Sequence, residues 1–63
     1  MCLSKAYRIA KNGSETLISE YVSQVRCKDG HVLLRDLMGA HYDVEGKLES
    51  IDLEGNVLRI AVP

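Results

Sequence analysis

The 63-residue sequence has no tryptophan and no phenylalanine, and three tyrosines are its whole aromatic complement. Stacking on RNA bases would therefore rest on Tyr7, Tyr21 and Tyr42 alone. Charge of one sign is also lacking: eight Lys and Arg against nine Asp and Glu leave a net charge of −1, with no basic cluster. The phosphate contacts that supply most nucleic-acid affinity are thus missing, and nucleic acid is an unfavoured partner. Proline occurs once, at Pro63, and the apolar share of 46% is that of a globular chain rather than a disordered one. No apolar run approaches the roughly 20 residues of a membrane helix, and the N-terminus lacks the apolar stretch of a secretory signal. No membrane association and a cytoplasmic location are expected. Neither a GxGxxG nor a GxxxxGK[ST] phosphate cradle occurs, and CxxC and HExxH metal pairs are absent as well. Two cysteines, Cys2 and Cys27, are too few for a disulfide framework in a reducing compartment, so both read as free thiols.

What the chain does have is dense punctuation. Asn12–Gly13, Asp29–Gly30, Gly39, Glu45–Gly46 and the Glu54, Gly55, Asn56 run separate short apolar segments. Such spacing describes one mostly β domain over 1–63, a small barrel-like antiparallel sheet of about six short strands. Strands are expected over 3–10, 16–19, 40–43, 47–52 and 57–62, with a hairpin around Asp29–Gly30. A two-residue type I′ turn there sets Lys28 opposite His31, Cys27 opposite Val32 and Val25 opposite Leu34. Apolar partners then share one face, and Arg26, Lys28 and His31 share the other, with Leu33 among them. The 57–62 run is apolar on both parities except at Arg59, as in a strand buried on two sides. The segment 14–24 carries a competing signal. Leu17, Ile18, Tyr21, Val22 and Val25 have helical spacing behind an Asn12/Glu15 pair placed like a capping box. The reading adopted is a strand to Ser19 followed by one helical turn at 20–24, with a full helix over 14–24 as its rival. A chain this short buries only about 60% of the surface its unfolded form exposes, so a homodimer is the expected additional support.

Few residues carry chemistry. Glu45, Glu49, Asp52 and Glu54 sit beside turns with Lys47 among them, which reads as a solvated face. A nucleophilic cysteine would need a base and a cleft, and a barrel of this length has little room for one, so no enzyme activity is expected. His31 beside its turn reads as an exposed imidazole, and His41 as a surface or packing residue whose spacing selects no metal role. Cys27, on the parity of Val25 and Val32, reads as a small buried hydrophobe. Cys2 differs by position. An amine, a backbone amide and a thiol lie within Met1 and Cys2, and together they can close fused chelate rings on nickel(II) or copper(II), ions that favour square-planar nitrogen and sulfur donors. Leu3, Tyr7 and Ile9 share one parity of the first strand, which sends Cys2 to the other, outward face. An incidental terminal cysteine is the alternative that these residues leave open.

The start MCLSKAYRI, together with LLRDLMGAHYDVEGKLESIDLEGNVLRI, resembles the CooT family of small nickel-binding accessory proteins associated with carbon monoxide dehydrogenase maturation. The resemblance extends over nearly the whole chain and rests on Met1 to Lys5, on DLMG at 36–39 and on VEGKLESIDL at 44–53. The hydrogenase-maturation chaperone family HypC shares the Met-Cys start but is less similar elsewhere. The CooT resemblance implies a homodimeric metallochaperone or nickel buffer in which Cys2 ligates Ni(II), with the Met1 and Cys2 backbone nitrogens as further donors. It also implies a client nickel enzyme such as carbon monoxide dehydrogenase. Cys27, His31 and His41 are not carried over as ligands. The alternative to this reading is a small β-barrel module that binds RNA or protein and has no metal role.

Overall fold

The computed structural model describes residues 3–63, and every regular element in them is a strand. In chain order these are β1 (Ser4–Ile9), β2 (Glu15–Lys28), β3 (His31–Asp36), β4 (His41–Glu45), β5 (Lys47–Asp52) and β6 (Val57–Ala61). The β2–β3 turn follows from its residues. Asp29 at φ 49° and Gly30 at φ 77° both take the left-handed conformation that a type I′ turn requires. The ladder beyond it pairs Lys28 with His31, Cys27 with Val32 and Val25 with Leu34, the register expected from the sequence. At the β1–β2 corner the Asn12 side chain serves a turn and not a helix: its Oδ1 accepts from the Ser14 amide at 3.0 Å and from Ser14 Oγ at 2.7 Å.

No helical turn occurs at 20–24, and no helix at 14–24; β2 runs unbroken through both. The helical spacing has another origin. Two steps along β1, Ser4 to Ala6, face three along β2, Val22 back to Ser19, and the single step from Ala6 to Tyr7 faces two, Ser19 to Leu17. On the other side, Val22 to Gln24 faces the single step from Asp36 to Arg35. Each irregularity adds a residue to β2, so Ile18, Val22 and Val25, which all pack in or against the core, fall four and three apart. A bulged strand thereby imitates the spacing of a helix, and bulges also bend the strand that carries them.

The sheet order is β4-β3-β2-β1-β6-β5. Neighbours are antiparallel except β1 and β6, which run parallel from Lys5↔Val57 to Ile9↔Ala61, a departure from the wholly antiparallel expectation. Lying between β1 and β5 accounts for the apolar content of β6: Leu58 and Ile60 are buried, and Val57, Arg59 and Ala61 half-buried. β4 and β5 are the two edges of the sheet, yet Gly46 alone joins them. The sheet must therefore curl until its edges meet at that residue, although no ladder of hydrogen bonds closes the seam. It is barrel-like in curvature but open. The Gly46 amide donates to the Gly30 carbonyl at 2.8 Å and ties this corner to the β2–β3 turn. Inside the curl lie Ala6, Val22, Val32, Leu34, Val44, Leu58 and Ile60, with Ile18, Val25, Tyr42, Leu48 and Val62 packed against them.

Candidate functional site

The most organised polar cluster is at the end of the sheet where β1 begins. Ser4, the first residue of β1, pairs with Val22, and Val22 pairs with Asp36 at the end of β3. Asp36 opens the 36–40 turn and holds it from within. Its Oδ1 accepts from the amides of Met38 and Ala40, both at 2.9 Å, and its Oδ2 accepts from the Tyr42 hydroxyl at 3.0 Å. The backbone closes the same turn, Gly39 donating to the Asp36 carbonyl and the Asp36 amide donating to Ala40, both at 3.0 Å. Burial works against ionisation of Asp36. The Ala40 amide, the Tyr42 hydroxyl and the amides of Met38 and Gly39 outweigh it and hold the carboxyl below its usual range. The sequence signal for this role of Asp36 is an aspartate at a turn, where its side chain can bond to backbone amides further along.

A rigid turn can present side chains that the core does not need. Leu37 is 62% exposed and Met38 88%, and the Leu37 amide donates to the carbonyl of Tyr21, itself 53% exposed. Three large apolar groups thus stand in solvent beside a fixed carboxylate. Ile51 and Leu53 are also exposed, on and just after β5.

The residues singled out by sequence are dispersed. Cys2 and Met1 lie outside the described residues. On β1 itself, Tyr7 and Ile9 are half-buried, and Ala6, of the opposite parity, is completely buried. Cys27 is exposed, contrary to expectation, although its partner Val32 is 1% exposed. Among the described residues β1 pairs with β2 only over Glu15 to Val22, and Cys27 lies beyond that stretch. His31 is partly exposed and its Nδ1 meets Asp43 Oδ1 at 2.8 Å, while His41 is exposed. Glu45, Glu49, Asp52 and Glu54 are exposed, as a solvated face requires, and Asp52 Oδ1 caps its turn by accepting from the Glu54 and Gly55 amides at 3.0 Å each. Among the described residues no three or more His, Cys, Asp or Glu side chains converge on a common point that could hold a metal ion.

A six-stranded open sheet, a terminal Met-Cys and a braced Asp-Leu-Met-Gly turn are the features to compare with known proteins. The family model described as CO dehydrogenase accessory protein CooT matches residues 1–61. The chain belongs to the CooT family. That match takes in Met1 and Cys2 as well as the turn at 36–39, so it spans both ends of the sequence resemblance. Among solved structures, a crystal structure provisionally assigned to CooT from Carboxydothermus hydrogenoformans superposes with a TM-score of 0.85. It covers 98% of each chain at 18% identity, a level at which the likeness shows the shared CooT fold alone. None of the curated proteins compared with this CooT chain matches it. The family's own description makes it an accessory protein of CO dehydrogenase. No helix among the described residues is long and apolar enough to cross a membrane.

Proposed function

We propose that this CooT-family chain is a nickel(II)-binding accessory protein, a metallochaperone or nickel buffer for the maturation of a nickel enzyme such as CO dehydrogenase. The observation that carries the reading is the family match over residues 1–61, Met1 and Cys2 included, to a CO dehydrogenase accessory protein. The donor chemistry fits the cargo. Cys2 supplies a thiolate, and Met1 and Cys2 supply backbone nitrogens, a set suited to nickel(II). Among the described residues, Cys27, the other thiol, has no two further ligating side chains gathered around it. The protein acts by holding and releasing an ion and not by catalysis, in the cytoplasm and as a homodimer. Support for the dimer comes from Tyr21, Leu37, Met38, Ile51 and Leu53, which leave much apolar surface in solvent for a domain of 63 residues.

Thiolate ligation releases a proton, so nickel affinity falls as pH drops further below the free cysteine value of about 8.5. The test is a nickel titration of untagged protein, followed by ultraviolet thiolate-to-nickel charge transfer, in parallel with Cys2→Ala and Cys27→Ser. A saturable band that persists in Cys27→Ser and vanishes in Cys2→Ala is the expected result. Equal affinity in Cys2→Ala and the parent would overturn the assignment.

A further inference from the structure

The outer face of the β2-β3-β4 half of the sheet carries three cross-strand rows. Gln24, Arg35 and His41 form one, Arg26, Leu33 and Asp43 the next, and Lys28, His31 and Glu45 the third. Cross-strand neighbours stand about 5 Å apart and diagonal ones about 7–8 Å, so Arg26, opposite Leu33 on β2, and Arg35, two residues from Leu33 on β3, are diagonal neighbours. Opposite charge is close by, but it is engaged elsewhere: Asp43 bonds to His31 Nδ1 at 2.8 Å. Among the described residues the ion pairs are His31–Asp43 and Arg59–Glu15, and neither includes Arg26 or Arg35. Both arginines are exposed, and with Gln24, Leu33 and His41 they line a concavity of about 170 Å³ that no carboxylate enters.

The geometry points to this concavity as the docking point for an acidic segment of a protein partner, a carboxylate set between Arg26 and Arg35 with an apolar neighbour resting on Leu33. Guanidinium forks pair with carboxylates through two parallel hydrogen bonds, which favours arginine for such recognition. The half-buried Leu33 beside the two cations gives the apolar neighbour its contact, something a bare phosphate would not use. The hollow is smaller than the roughly 300–1,000 Å³ of a small-molecule site, so it fits one side chain and not a nucleotide. A nucleic-acid backbone draws its affinity from many phosphate contacts, whereas one carboxylate needs only these two arginines. The inference is independent of nickel, since no thiol takes part.

The test is an amide NMR titration of the full chain with the peptide acetyl-Glu-Glu-Leu-Glu-Glu-amide. Its arms are the matching glutamine peptide, inorganic phosphate, and the double variant Arg26→Gln/Arg35→Gln, with Lys11→Gln as a charge control in the exposed β1–β2 turn. Saturable shifts centred on Arg26, Leu33 and Arg35 are expected with the acidic peptide alone, weakened tenfold or more in the double variant and unchanged in Lys11→Gln. Both arginines are exposed and glutamine keeps most of their stems, so folding is preserved, as an unchanged thermal melt will show. Equal binding by the double variant, or shifts scattered over the molecule, would overturn the proposal. Phosphate moving the same amides with comparable affinity would make this a small-oxyanion site and overturn the protein partner.

Discussion

Gly46 joins the two edges of the sheet, so replacing it with alanine tests whether that one residue lets the sheet curl. Its φ is +153°, where L side chains rarely sit, and forcing alanine into such a region costs about 1–3 kcal/mol. A Cβ there would also collide with the Ala61 carbonyl oxygen and lie 3.1 Å from the Ala61 carbonyl carbon and 3.3 Å from Val62 Cα. All three are backbone atoms of β6 and the residue after it, so no side chain can swing aside. Displacing them adds about 1–3 kcal/mol, the usual range for overpacking. The sum, about 2–6 kcal/mol, is comparable with the whole stability expected of such a domain, about 3–9 kcal/mol at ordinary per-residue values. Gly13→Ala is the internal comparison. Its φ of +87° is also left-handed, but nothing lies within 4 Å of the added Cβ, so it reports the conformational cost alone. The assay is urea unfolding of both variants followed by far-ultraviolet circular dichroism. With a slope of about 1 kcal/mol/M, the Gly46→Ala midpoint should fall at least about 1 M below that of Gly13→Ala. Midpoints within about 0.5 M of each other would refute the account of the corner as a steric closure.

Asp36→Asn removes the charged acceptor of the 36–40 turn and lowers the melting temperature at pH 7. The parent carboxyl titrates below its usual range, so its contribution is complete above the unfolded value of about 3.9 and is lost as pH falls through the lower folded value. The gap between parent and variant melts should therefore close below about pH 4, and a gap constant from pH 7 to pH 2 would contradict this. Leu34, 1% exposed on β3, should cost about 2–5 kcal/mol as alanine, read from equilibrium unfolding; under about 1 kcal/mol would show that the core collapses to fill the gap. Cys27→Ser should change stability by no more than about 0.5 kcal/mol, because the thiol is exposed. In a Cys2→Ala background the Cys27 thiol should react with a disulfide reagent in the native state, and reaction only after denaturation would show that it is covered.

The braced turn and its apolar tip have a bearing on the accessory role. β1 begins at the end of the sheet that holds Asp36, and among the described residues Tyr21, Leu37 and Met38 stand in solvent there. Hydrogen bonds that fix the turn remove conformational freedom before any partner arrives, so less entropy remains to be lost on contact. Such preorganisation suits a protein whose family is defined by service to another enzyme.

Local chemistry alone determined most of the strands and most of the turns. Asp29–Gly30 dictates a type I′ turn, the turn dictates the register, and the register sends Val32 and Leu34 inward, all within one hairpin. The family, too, is legible in the chain, since the stretches that carry it are local strings. Properties that depend on which strands become neighbours were decided by the tertiary structure. The parallel β1–β6 pair joins segments about fifty residues apart, and no short-range pattern encodes it. Residues 14–24 looked helical because bulges had shifted the strand period, and those bulges are defined only against β1 and β3. Cys27 has the parity of a core residue and is nonetheless exposed, beyond the Glu15 to Val22 stretch over which the described part of β1 pairs with β2. Asp36 became the hub of its turn when Tyr42, six residues on, folded back across it. Periodicity reports the direction in which a side chain points; the neighbour it meets there is settled only when distant strands close the curl.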